Sequence, residues 1–150
     1  MDDITESDRV IVGVDGSRCS AEVLRYAAGL ARALGARLEA VIAWTYPTLA
    51  EPYPLPGWSP EEEAAHTLDS TIGVAFGDDP PDDLRRSVVA GPAARTLIRL
   101  SRTSRMLVVG SRGHGGFTGL LLGSVSMACA QHAQCPVLIY HEPKPREQAS

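Results

Sequence analysis

Apolar residues arrive along the chain in short blocks, separated by longer stretches in which they recur every three or four positions. Arg9 to Val14 (RVIVGV) is a short apolar run that stops at the turn-forming trio Asp15-Gly16-Ser17, and it reads as a strand. Ser17 is the expected cap of a following helix. There Val23, Ala27, Leu30 and Leu34 share a face, and Gly35 ends the pattern. Leu38 to Trp44 (LEAVIAW) reads as a second strand, followed by an irregular stretch containing Pro47, Pro52, Pro54, Pro56 and Pro60. Residues 60–76 carry a weak helical pattern, and Asp78-Asp79-Pro80-Pro81 marks a turn. Arg86 to Ala90 is the third strand; Gly91-Pro92 then opens a helix with Ala94, Leu97, Ile98 and Ser101 on one face. Met106 to Val109 is the fourth strand and runs into a glycine-rich segment, 110–123. Ser124 to Gln131 reads as a helix and Pro136 to Tyr140 (PVLIY) as the last strand, with Pro143 and Pro145 in a frayed tail.

Strands of four to seven apolar residues alternating with helices imply parallel strands buried on both faces and joined by crossovers. The fold class is therefore α/β, an open parallel sheet covered by helices on both sides. No internal repeat or domain boundary interrupts it. Residues 1–150 are expected to form one domain, with a core over about 8–141 and a Pro-rich tail at 142–150. In such sheets ligands sit beyond the carboxyl ends of the strands, where the strand order reverses. The loops 13–17 and 110–116 are the places this rule selects.

Composition narrows the chemistry. The 150 residues include 44% hydrophobic and 21% charged side chains, an ordinary globular mixture that excludes a disordered chain. The net charge of −4 argues against a nucleic-acid binder. From Leu84 to His141 there is no carboxylate, against seven arginines at 85, 86, 95, 99, 102, 105 and 112. Such a stretch suits an anionic ligand, although solvated helix faces account for most of these arginines. Lys144 is the only lysine and lies in the tail, which excludes a GxxxxGK[ST] phosphate loop and disfavours Schiff-base chemistry. Cys19, Cys129 and Cys135 show no CxxC spacing, so reduced thiols are expected rather than a disulfide framework or zinc site. The acidic start lacks the apolar core of a signal peptide, and no apolar run approaches the roughly 18 residues of a membrane span. A cytoplasmic protein is expected, with no membrane and no nucleic acid among its partners.

The segment from Val108 to Ser124 is the most informative. Six glycines in the fourteen residues 110–123 follow a buried strand and lead into a helix. Glycines let a backbone approach a ligand closely, consecutive free amides form an anion-binding concavity, and a helix N-terminus favours phosphate. Ser124 and Ser126 add hydroxyls at that end. On composition alone, a flexible loop with Ser124 as an ordinary cap is an equal reading.

The spacing reads G-x2-G-x9-G-S at Gly110, Gly113, Gly123 and Ser124, and in this it resembles the nucleotide-binding signature of the universal stress protein family. Val12-Gly13-Val14-Asp15-Gly16-Ser17 is similar to that family's first strand and turn, Gly123-Ser124-Val125-Ser126 to its last-helix entry, and Cys135-Pro136-Val137-Leu138 to its final strand. The resemblance covers about residues 8–141 as a single copy and points to the ATP-binding branch. It implies a Rossmann-like five-stranded sheet of order 3-2-1-4-5. It also implies that Asp15 contacts the nucleoside, Gly13 and Val14 pack beside the base, Ala43 contacts adenine and Val109 lines the pocket. Gly110, Gly113, Gly123, Ser124, Val125 and Ser126 would hold phosphates and ribose. For Asp15 a purely turn-fixing role stays open. Arg112 and His114 either touch a γ-phosphate or are solvated loop charges. Arg105 stands where the family commonly has an acidic residue, and the region 45–83 is short and Pro-rich where others have a longer helix.

The function so implied is a stress-response regulator that binds ATP, with Mg²⁺ held through phosphates and water, and whose nucleotide state modulates contacts with protein partners of unknown identity. It is not expected to be a dedicated enzyme; slow hydrolysis or autophosphorylation fits. Three alternatives stay open: a binder of another adenine nucleotide such as cyclic AMP, a slow phosphotransferase, and a nucleotide-independent dimeric scaffold. A homodimer through the last strand, 136–140, is expected because that strand would be an apolar sheet edge.

Overall fold

The computed structural model describes residues 8–46, 57–111 and 122–142. Five strands and four helices alternate: β1 Arg9–Gly13, α1 Ser20–Leu34, β2 Arg37–Trp44, α2 Pro60–Phe76, β3 Arg85–Ala90, α3 Ala93–Ser101, β4 Met106–Gly110, α4 Ser124–His132 and β5 Val137–Tyr140. All strand pairs are parallel, and the sheet order is β3-β2-β1-β4-β5. This is the expected Rossmann-like α/β sheet. Its order reverses at β1, which lies between β2 and β4.

The two-residue period of the strands divides the core. Val10, Val12, Leu38, Ala40, Ile42 and Val108 pack with α1 and α2, while Ile11, Val41, Leu107 and Val109 pack with Leu97 of α3 and Cys129 of α4. Gly13 permits the second contact. A Cβ on Gly13 would sit 2.9 Å from Leu97 Cδ1, so the missing side chain lets α3 close onto β1. The half-buried residues of β5 are all apolar and form one sheet edge, and β3 forms the other.

Most element boundaries agree with the sequence pattern to within one residue, and α2 agrees at both ends. Its start has a local cause: Ser59 accepts from the Glu62 N–H, Pro60 occupies the first helical position, and three glutamates complement the helix dipole. The start of α1 differs from expectation. Ser17 is not the cap, because its N–H donates to Asp15 Oδ1 and its carbonyl accepts from Ser20 N–H, forming a preceding turn. The helix begins at Ser20, and its cap residue Cys19 makes no side-chain cap bond. Its buried stripe is accordingly Val23, Leu24, Ala27 and Ala31, with Leu30 and Leu34 only half-buried. Pro136, expected to open β5, precedes the strand but still accepts from Leu107 N–H through its carbonyl. His132 is exposed because it ends α4 just before the chain turns toward β5.

At the amino ends of the strands lies a buried charge cluster. Arg9 donates to Glu39 at 3.0 Å and to Thr103 Oγ1 at 2.9 Å, and Arg85 Nε lies 3.5 Å from the other Glu39 oxygen. Three of the seven arginines of the arginine-rich stretch are accounted for by ion pairs. Arg85, Arg86 and Arg105 pair with Glu39, Asp69 and Asp8 at the amino ends of β3 and β4. They lie opposite the carboxyl ends where an anion was expected.

Candidate functional site

The carboxyl ends of β1 and β4 carry most of the expected site residues to one place. After β1 the chain turns at Val14, whose N–H donates to Val41 O at 2.8 Å and so continues the sheet by one bond. Asp15 is exposed and Gly16 has φ 77°, a left-handed conformation that suits glycine. The Asp15 carboxylate has a structural role: Oδ1 accepts from Ser17 N–H and from the Ser20 hydroxyl, both at 2.9 Å. Ala43 lies near the end of β2, opposite Val89 of β3, beyond the level where Gly13 faces Val41. Val109 is buried beside Gly13, forming the floor rather than an exposed wall.

The β4 side is closed by a clasp. Gly110 pairs with Tyr140, and the next residue, Ser111, donates its N–H to Tyr140 O at 2.8 Å. The Ser111 carbonyl accepts both Gly123 N–H, at 2.6 Å, and the Ser126 hydroxyl, at 3.0 Å. The start of α4 is thereby fastened to the end of β4. Gly123 caps α4 without a side-chain bond, and the geometry of a helix start leaves the N–H groups of Ser124, Val125 and Ser126 without intrahelical acceptors. Ser124 is exposed there, whereas Val125 is half-buried against the α3 side of the core. The Ser126 hydroxyl turns inward; it is 2% exposed and engaged with the carbonyls of Ser111 and Gly123. The hydroxyl is thus committed to the framework, and only the backbone N–H of Ser126 is left among the donors of the helix start. Arg112 and Gly113, together with His114, lie outside the described residues.

Two site residues escaped the sequence reading. Ser20 and Ser111 make the bonds that hold Asp15 and the α4 start, yet both look like ordinary helix or loop serines. Trp44 packs against the core and meets Tyr46 edge-on, and Trp58 donates to Glu63, as packing and surface roles require. Burial pushes the thiols up: Cys19 and Cys135 lie above the ordinary range, and Cys129 reaches about 11 with Cys135 adding to the effect. Among the described residues no group of His, Cys, Asp and Glu is placed to hold a metal.

The family model for the universal stress protein family matches residues 6–141. The chain belongs to the universal stress protein family. It is 37% identical over 133 residues to universal stress protein Rv2005c of Mycobacterium tuberculosis, covering 87% of this chain and 44% of that protein. A Mycolicibacterium smegmatis universal stress protein is 34% identical with the same coverage on each side. The chain thus spans less than half the length of these relatives. A solved universal stress protein in complex with cAMP is 28% identical, with a TM-score of 0.59 over 90% of this chain and 97% of that one. UspA from Lactobacillus plantarum shares the fold with a TM-score of 0.73 at 20% identity, over 91% of this chain and 99% of that one. So does a protein from Archaeoglobus fulgidus solved in complex with dAMP, with a TM-score of 0.61 at 19% identity, over 87% and 95%.

Proposed function

We propose that this universal stress protein domain binds an adenine nucleotide, ATP in the first instance, and couples its occupancy to contacts with protein partners. The observation that carries the reading is the meeting of two features at the β1/β4 reversal. One is the Asp15 turn; the other is an α4 start with no side-chain cap, fastened to β4 by the clasp. A helix N-terminus supplies N–H donors and a favourable dipole to phosphate, and a carboxylate one strand away accepts from a ribose hydroxyl. Gly13, Val14 and Ala43 border the base side. Val109 and Gly110 form the floor, Gly123, Ser124, Val125 and Ser126 belong to the phosphate side, and the glycine spacing assigns Arg112 and Gly113 to the same phosphate. Mg²⁺ fits this site as an ion carried by phosphate oxygens and water. The family, the glycine spacing and the two nucleotide-bound relatives support the adenine nucleotide.

The test is the nucleotide released by denaturing freshly purified protein, followed by ATP titration of wild type and Gly123→Val. Gly123 has φ −73° and ψ 169°, a conformation valine adopts readily, so the change adds bulk at the mouth while sparing the backbone. Bound or titrated ATP, lost in the variant while thermal stability holds, is the expected result. Wild-type protein that is empty and ignores ATP overturns the reading. A second reading, cyclic AMP as the ligand, is favoured by the cAMP-bound relative, and competition between the two nucleotides decides it.

The edge strand β5 supports a homodimer. Pro136 and Tyr140 carbonyls face β4, so by the alternation of a parallel ladder the N–H groups of Val137 and Ile139 face outward. Dimers by light scattering, converted to monomers by Ile139→Pro, are expected; a wild-type monomer at all concentrations rejects this arrangement.

A further inference from the structure

We infer that Ser20 is a positioning residue for nucleotide recognition, acting by fixing the carboxylate of Asp15; this rests on the nucleotide reading above. Ser20 is the first residue of α1 and only 4% exposed, so its hydroxyl is not a surface group awaiting ligand. Its single proton goes to Asp15 Oδ1 at 2.9 Å. The Ser17 hydroxyl lies 3.3 Å from Ser20 Oγ, and because Ser20 has no second proton, Ser17 is the donor in that contact. The Asp15 backbone N–H also points at Ser20 Oγ, at 3.5 Å. Ser20 therefore accepts from both the Asp15 main chain and Ser17, and donates to the Asp15 side chain. With Ser17 N–H on the same Oδ1, two donors fix the carboxylate plane from the helix side.

A carboxylate that must accept from a ribose hydroxyl loses side-chain freedom on binding, and bonds formed beforehand remove that cost. A hydrogen bond to a charged acceptor is among the stronger ones. Ser20→Ala is thus expected to weaken ATP binding roughly tenfold. Ser20 caps nothing else among the described contacts, so the effect should pass through Asp15 and through the ribose hydroxyls alone.

The experiment compares ATP with 2′,3′-dideoxy-ATP by calorimetric titration of wild type, Ser20→Ala, Asp15→Ala and the double variant. Ser20→Cys, close in volume with a weak donor, gives the same comparison should the alanine variant unfold. In the expected result Ser20→Ala and Asp15→Ala each weaken ATP and leave the dideoxy analogue unchanged, and the double variant binds no worse than Asp15→Ala. Equal weakening of both nucleotides by Ser20→Ala means the helix start has collapsed, and overturns the proposal. Selective loss in Asp15→Ala with none in Ser20→Ala overturns it too, but leaves the nucleotide reading intact. Wild-type protein that binds neither compound, or an Asp15→Ala variant with no change, overturns the role of Asp15 and this proposal together.

Discussion

Cys129 has no exposed surface, and burial raises its thiol to about 11. A thiol whose folded value lies above its unfolded one stabilises the fold fully below the unfolded value. That contribution is lost as pH climbs through the folded value, because the unfolded chain ionises first. Thermal stability is therefore expected to fall between pH 9 and pH 11, and Cys129→Ala should flatten that decline; identical pH profiles for both proteins would reject the cause. At neutral pH the same protonation predicts slow alkylation of the native protein. Residues also differ in how openly they declare their roles. Gly110, Gly123 and Ser124 can be picked out by spacing because a glycine signature is a local pattern in the sequence. Ser20 cannot, since its bond to Asp15 depends on how the intervening turn folds back over five residues. Asp15 proves to hold the turn, and that finding leaves its second role to the ligand experiment.

Elements are legible where their ends carry chemistry. α2 announces itself through Ser59, Pro60 and Glu62, and α1 ends where Gly35 adopts φ 66°. The beginning of α1 misleads because Ser17 has the side chain of a cap but is held in a turn by Asp15. Glu39 is hidden in another way. It sits within an apolar strand, and nothing nearby in sequence announces its partner Arg9, thirty residues away across the β1/β2 register. Removing the carboxylate leaves a buried guanidinium uncompensated, so Glu39→Gln should destabilise the protein by about 3 kcal/mol in urea titration. Arg85 approaches the same carboxylate from the surface with its side chain 67% exposed, and Arg85→Ala should cost at most about 1 kcal/mol. Comparable losses for both would show that burial is not what separates them.

At the scale of the whole molecule, the described ion pairs lie toward one end of the sheet and the candidate site lies at the other. Ion pairs gather at the amino ends of the strands, and hydroxyls, glycines and an open helix start gather at the carboxyl ends. Variants at one end should therefore leave the other untouched: Glu39→Gln lowers stability without altering nucleotide affinity where the fold persists, and Gly123→Val does the reverse. The clasp on Ser111 has a further consequence for how such a domain can vary. Because one carbonyl anchors both Gly123 and Ser126, the places of Ser111 and Gly123 relative to each other are set by the framework. Ser111 and Gly123 thus stand as fixed posts, and a foreign sequence of different length spliced between them is expected to leave the floor and the helix start in place. Affinity and ligand preference can then diversify while the scaffold stays constant.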